Sequence, residues 1–249
     1  DQVYEGRPTQ PDRSGEPSSY LDYLYKWALW SWAYADLARN IPTVCLPDDH
    51  DVYHGNVWGA GGQKTRGAPK DGQYPSHYQG FEGHWEQDGG GYRMPADFVN
   101  MVQRTQTSHL PDPYDPTPVE QDITVYYTDM NYGGISFAII EDRKFKSSPS
   151  VMVTEGKVVN GFPQVPNFDG RHADVQGAKL LGERQLKFLR DWAADWTDSW
   201  MKVSLSQTVF ANLTTYPEDF KTDAGAPRLE PVPFGEIPSG YRLAKDMDS

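Results

Sequence analysis

The sequence predicts an α/β fold, and three observations carry that prediction. Residues 20–39 set apolar side chains at helical spacing and run, after a tight connection, into the β-branched and apolar run 42–46. Residues 123–128 and 134–141 read as two strands around a turn. Residues 181–200 form the clearest later amphipathic helix and lead into a strand-like stretch at 202–210. Helices and strands in this order bury their apolar faces by packing helix on sheet.

Each element has its own local reason. Residues 6–18, rich in Gly, Pro, Ser and charge, read as a loop, with Ser18 or Ser19 as the cap of the first helix. Leu21, Leu24, Tyr25, Ala28, Leu29, Trp32 and Leu37 mark the side of that helix expected to be buried. Residues 42–46, closed by Pro47, read as a buried strand, and Cys45 within it as a small buried hydrophobe. Residues 55–95 then hold eleven of the 23 glycines and few aliphatics. A stretch of that length without regular structure reads either as an active-site surround or lid, or as a flexible insertion. A helix follows over 95–109, and a turn over 129–133 joins the two central strands. Leu186, Phe188, Leu189, Trp192 and Trp196 mark the apolar side of the later helix, and no internal repeat is evident.

Composition excludes several functions. The 249 residues carry 35 acidic and 23 basic side chains, a formal charge of −12. A surface this acidic repels the phosphate backbone, which excludes direct nucleic-acid binding. No apolar run approaches the roughly 18 residues a membrane span requires. The first residues lack the basic and apolar regions of a signal peptide. Eight Trp and fifteen Tyr among 23 Gly and 20 Pro describe a folded chain with long ordered loops. The single cysteine permits no internal disulfide.

The densest polar cluster, Asp48-Asp49-His50-Asp51, directly follows the predicted strand at 42–46. Ligands of open α/β sheets bind beyond the carboxyl ends of strands. Three carboxylates beside an imidazole repel one another unless a cation offsets them, and these donors suit ions from Mg²⁺ and Ca²⁺ to Mn²⁺, Fe and Zn²⁺. The alternative is a solvated acidic turn. A second cluster, Asp1-Gln2-Val3-Tyr4-Glu5, opens the chain.

Taken together, the two clusters resemble the signature of the PhoD-like (alkaline phosphatase D-like) branch of the calcineurin-like metallophosphoesterases. There the first element reads Gly-Asp-x-x-Tyr-Glu and the second Asp-Asp-His-Glu or Asp-Asp-His-Asp. Val52-Tyr53-His54-Gly55-Asn56-Val57-Trp58-Gly59 is similar to the aromatic stretch after that motif. Glu141-Asp142-Arg143 is similar to its Asp-x-Arg segment, and Leu181-Gly182-Glu183-Arg184-Gln185-Leu186 to its Leu-Gly-x-x-Gln-Leu helix start. Trp192 and Ser206-Gln207 match in order.

The resemblance implies a four-layer α-β-β-α sandwich, of which this chain would be the central portion, and a metallophosphatase domain spanning 1–249 but incomplete at both ends. It implies hydrolysis of phosphomonoesters or phosphodiesters by in-line attack of a metal-activated hydroxide at a binuclear site, with iron and calcium, or manganese, zinc or magnesium, as cofactors. Asp1 would bridge the two ions, Tyr4 would be a phenolate ligand to one of them, and Asp49 would take the place of the superfamily's metal-binding Asn. His50 would donate toward the phosphate or leaving group. Arg143 would contact phosphate oxygens with its planar fork, or else serve as a structural or surface arginine. Export to the periplasm or outside the cell is common in that family.

Departures from the family pattern are equally specific. Ser206 stands where relatives often carry a metal-binding Asn, so that it contributes weakly or a water takes that place. An earlier Asp-containing strand and a later Gly-Asp-x-His segment are not found, which reads as a fragment of a larger polypeptide. His172, in Asp169-Gly170-Arg171-His172, does not match that terminal motif and reads as part of a loop beside the site, or a structural one. His54, His77, His84 and His109 read as polar loop residues, and none is assigned to metal. The triplet Asn212-Leu213-Thr214 is a weak glycosylation sequon. Two other functions compete: a glycoside hydrolase using paired carboxylates, and a binding module that keeps the fold without the activity.

Overall fold

The computed structural model describes residues 1–208 except 167, together with the backbone of Thr215–Pro217 and Tyr241–Leu243. Helices and a small mixed sheet make up the described chain. The elements are α1 (Pro17–Ala33), α2 (Ala35–Asn40), α3 (Trp85–Asp88), α4 (Ala96–Thr107), β1 (Thr128–Tyr132), β2 (Ile135–Ile139), α5 (Pro149–Met152), α6 (Glu183–Ala194), β3 (Met201–Leu205), β4 (Thr215–Pro217) and β5 (Tyr241–Leu243). β1, β2 and β3 form one sheet in that order, and β4 pairs antiparallel with β5. The sequon triplet lies outside the described residues.

α1 begins at Pro17, whose fixed φ suits a first helical position, rather than after a Ser18 or Ser19 cap. The residue in the cap position is Glu16, with no side-chain cap bond. Its buried residues are Ser19, Tyr23 and Lys26. The face expected to be buried is instead largely exposed: Leu21 at 67%, Trp32 at 81% and Leu37 at 56%. The helix is apolar on more than one side, and the aromatic Tyr23, packed against Phe98, took the inner one. Lys26 fixes the helix to the start of the chain, its Nζ donating to the Glu5 carbonyl at 2.7 Å and to Asp22 at 2.8 Å.

The run 42–46 does not form a strand, although Cys45 within it is buried as expected. A strand is defined by a neighbouring ladder, and no described segment pairs with this one. Side chains hold it instead: Gln207 Nε2 donates to the Pro47 carbonyl at 3.0 Å, and His109 Nε2 lies 3.0 Å from the Thr43 carbonyl.

The glycine-rich stretch follows a packed course. Amides of Gly59, Ala60 and Gly61 donate to carbonyls of Arg143, Lys146 and Lys144. A Cβ at Gly59 would stand 2.6 Å from the Arg143 carbonyl oxygen, so only glycine permits this approach. Asp88 ties the stretch to the 158–160 segment, accepting from the Asn160 amide at 2.7 Å and the Tyr78 hydroxyl at 3.0 Å.

α4 spans Ala96–Thr107, two residues short of the expected end, and buries Phe98, Val99, Val102, Gln103, Gln106 and Thr107 along one stripe. Phe98 is fully buried in the cluster formed with Val3, Tyr23, Tyr53 and Tyr92. Burying such a side chain is worth about 1.5–3 kcal/mol. A second cluster joins Val125, Tyr127, Ala138, Ile140 and Phe188.

The hairpin is shifted from its expected place. Residues 129–132 belong to β1, and the turn is the pair Gly133-Gly134, with φ of 60° and 79°. Two glycines at positive φ make the short connection whose twist matches the strands. Asp129 and Asn131, which read as turn residues, lie on the largely exposed edge strand. Of the first expected strand, only Thr128 enters the ladder.

β2 pairs parallel with β3, Ile135 opposite Met201 through Ile139 opposite Leu205, and α6 lies on the connection between them. α6 is shorter than the expected 181–200, and Leu186 and Trp196 are exposed while Phe188 is buried. Its end is fixed by Lys202, whose Nζ donates to the carbonyls of Trp192 and Asp195 and stands 4.5 Å over the Trp192 ring. A cation there satisfies the last free carbonyls of the helix. β3 covers five residues of the expected 202–210 strand region and its flank. Residues 206–208 leave the ladder, and 209–210 lie outside the described residues.

Candidate functional site

Three carboxyl-terminal ends converge on one place. Asp48 and Asp49 follow the extended run 42–47, Asp142 and Arg143 follow β2, and Ser206 and Gln207 follow β3. Gln207 links all three by donating to the Pro47 carbonyl and accepting from the Asp142 amide at 3.4 Å. Arg143 Nε donates to Asp48 Oδ1 at 2.7 Å, and its Nη2 stands 3.9 Å from Asp49 Oδ2. This is the edge of the sheet at which ligands of α/β proteins bind.

The start of the chain is stitched to that edge by Asp51. Fully buried, its carboxylate accepts from the Val3 amide at 2.8 Å and the Asp48 amide at 2.9 Å. Asp51 is therefore a structural acid. Residues His50–Val52 form a single tight turn, with the Asp49 carboxylate accepting from the His50 amide at 2.8 Å. Tyr53 closes the turn in the left-handed region at φ 60°.

The result brings Asp1, Asp49 and His50 together, with one ligand-capable atom of each within 4.8 Å of the others. Asp1 is exposed, Asp49 is 5% exposed and His50 is half-buried. Tyr4 stacks on the His50 ring, with centroids 3.9 Å apart. His50 Nδ1 lies 2.6 Å from Glu5 Oε2, so Nε2 is the ring atom left for other work. Glu5 is itself held by Arg13, which donates to Oε1 at 2.8 Å and to the Tyr53 carbonyl at 3.0 Å.

The electrostatics follow the geometry. Burial, reinforced by the neighbouring Asp48 charge, pushes the Asp49 carboxyl up to about 6 against the pull of Arg143 and His50. Burial alone would favour neutral His50, but the hydrogen bond it donates to Glu5 and the charges of Asp49, Glu5 and Asp48 raise it above its ordinary value. Burial would raise Glu5 as well, yet the His50 hydrogen bond and the His50 and Arg13 charges hold it low. Carboxylates crowded in this way gain from a bound cation, and two carboxylates with an imidazole are a donor set that a divalent ion accepts.

The remaining sequence expectations sort clearly. Arg143 is at the site, gripped by Asp48. Ser206 is also there, its hydroxyl donating to Asp142 Oδ2 at 3.1 Å. His54, expected as a polar loop residue, is 4% exposed, and its buried Nδ1 has no hydrogen-bond partner among the described residues. Burial and the charges of Arg93 and Arg13 lower its pKa to about 3. His172 is exposed, 3.3 Å from Glu155, and lines a surface hollow with Arg171 and Asp174. Glu5 was visible only as the last letter of a motif, because its partner His50 is 45 residues away and no spacing signals the contact. Arg13 carried no sequence signal of its own, and Asp142 stood out only as part of the Glu141-Asp142-Arg143 segment, with no role of its own.

Compared with known proteins, the chain matches no family model, no curated protein and no solved structure. Among the described residues no helix is long and apolar enough to cross a membrane.

Proposed function

We propose that this chain carries the centre of a cation-dependent phosphoesterase of the PhoD-like kind, acting on phosphomonoesters or phosphodiesters. The observation that carries the reading is the meeting of Asp1, Asp49 and His50 from segments 48 positions apart in sequence, with the imidazole oriented by a buried carboxylate. Asp1 and Asp49 would hold the metal, and Tyr4, beside them on the His50 ring, would supply a phenolic oxygen. Bound there, cations supply charge neutralisation for the carboxylates and for the phosphoryl oxygens of the ester. Three donors suffice for one ion, and a binuclear centre needs further ligands from elsewhere in the protein.

The protein's own groups have distinct tasks in this reading. His50, held at Nδ1 by Glu5 and at its face by Tyr4, offers Nε2 toward the ester, where it can donate a hydrogen bond to the leaving oxygen. Arg143, now on Asp48, is placed to move its fork onto a phosphoryl oxygen when an anion arrives. The four-layer sandwich and an exported location belong to the same proposal, with the three-stranded sheet and its helices as part of the larger assembly.

The test is metal content together with aryl-phosphate turnover in the intact protein. The expected result is chelator-sensitive turnover that falls by at least about 10²-fold in His50→Ala and in Asp49→Ala. Turnover unchanged in either variant overturns the assignment. Activity on glycosides that survives chelator would point to the competing hydrolase instead.

A further inference from the structure

We propose that Asp142 is a cation ligand, binding a divalent ion through Oδ1 beside the Asp1, Asp49 and His50 cluster. The proposal deepens the phosphoesterase reading by adding a ligand that the motifs do not assign, and it is tested by cation binding rather than by turnover.

The geometry begins with burial. Asp142 is 2% exposed, and only one of its two carboxylate oxygens is in use. Oδ2 accepts from the Ser206 hydroxyl at 3.1 Å and the Thr208 amide at 3.0 Å. Oδ1 is buried and has no hydrogen-bond partner among the described residues. The Thr208 hydroxyl is likewise buried with no hydrogen-bond partner among the described residues. Buried polar atoms in folded proteins almost always have a partner, and where no protein group serves, an ion or a water ordinarily does. An anionic oxygen calls for the ion first.

The Lys144 ammonium turns to Gln103, the Thr124 carbonyl and Glu141. Asp142 also sits where a ligand is expected, just past the ends of the parallel pair β2 and β3, with its neighbour Arg143 reaching Asp48 and Asp49. Ser206 and Thr208 fix the carboxylate through Oδ2 and leave Oδ1 as its working atom. The proposed ligand atom is a carboxylate oxygen, which favours hard ions such as Mn²⁺, Mg²⁺ or Ca²⁺ that complete their shells with water.

Manganese titration by calorimetry, with the bound metal counted by mass spectrometry, tests the proposal on the wild type, Asp142→Asn and Asp49→Ala. The amide of Asp142→Asn can still accept from Ser206 and Thr208 through one oxygen while the charge is lost. The expected result is two Mn²⁺ per wild-type chain and one in Asp142→Asn. Equal stoichiometry and a Kd within about twofold of wild type in Asp142→Asn overturn the proposal. Loss in Asp142→Asn with no loss in Asp49→Ala supports it and removes instead the cluster on which the phosphoesterase reading rests. Should Asp142→Asn not fold, wild-type crystals soaked in Mn²⁺ decide: an anomalous peak about 2.0–2.6 Å from Oδ1 is expected, and a water or nothing there overturns it.

Discussion

His54 makes the protein's stability pH-dependent in a window that can be assigned before measurement. The side chain is 4% exposed, its Nδ1 has no hydrogen-bond partner among the described residues, and burial with the charges of Arg93 and Arg13 lowers its pKa from 6.5 to about 3. The folded protein therefore resists a proton that the unfolded chain accepts. The stability that depends on neutral His54 is complete above pH 6.5 and is lost progressively as the pH falls toward 3. At pH 4.5 the unfolded imidazole is two units below its pKa while the folded one remains neutral, and each unit is worth about 1.36 kcal/mol, so the loss is about 2.7 kcal/mol. Asp49, Asp51, Asp88 and Glu141, all raised chiefly by burial, titrate in the opposite sense and mask this in a single curve. The comparison with His54→Leu removes them, since both proteins share those groups. Urea unfolding of wild type and variant at pH 7.5 and pH 4.5 should show the stability difference, wild type minus variant, falling by about 2.7 kcal/mol between the two. A difference that stays constant within about 0.5 kcal/mol refutes the reasoning, because it would mean that the imidazole protonates in place.

Three further outcomes follow from contacts described above. Gly59→Ala forces a Cβ to within 2.6 Å of the Arg143 carbonyl oxygen, so urea unfolding should show a loss of about 1–3 kcal/mol, and an unchanged midpoint would mean that the loop is not held against the Arg143 backbone. Asp51→Ala leaves the Val3 and Asp48 amides buried without an acceptor, a loss of about 1–3 kcal/mol for each, and Mn²⁺ affinity should fall with it because Asp1 is no longer held beside Asp49. Glu5→Gln removes the charge that raises His50, so an NMR titration of the His50 ring should give a lower pKa than wild type, and a value unmoved or higher would rule out the 2.6 Å contact as its cause.

Legibility of the sequence varied with how local the deciding physics was. α4 and α6 form close to where helical spacing placed them, and of the apolar side expected for α6, Phe188 is buried while Leu186 and Trp196 are exposed. α1 was found but turned the wrong way, since a helix with Leu, Tyr and Trp on several sides does not say which side meets the core, and Tyr23 with Phe98 decided it. Gly133-Gly134 was hidden behind Asp129 and Asn131, which resemble turn residues when read without the ladder. Asp48 to Asp51 could be located from their place after an apolar run. Their division of labour could not: one member, Asp51, faces inward to two amides, and another, Asp49, faces the candidate cation cluster, a difference set by which way a three-residue turn winds. Glu5 and Asp142 act through partners tens of residues away, and spacing says nothing of such contacts.

The parallel pairing of β2 with β3 has a kinetic consequence. Asp142 meets Ser206 across 64 residues and only after the connection carrying α6 has closed, whereas the Val3 to Asp51 bond that seats Asp1 spans 48 and needs no strand pairing. Contacts of high sequence separation form late because loop closure opposes them until the ladder is complete. Closing the Asp142 to Ser206 contact therefore requires the ladder of β2 and β3, whereas seating Asp1 beside Asp49 requires only that residues 3 and 51 meet.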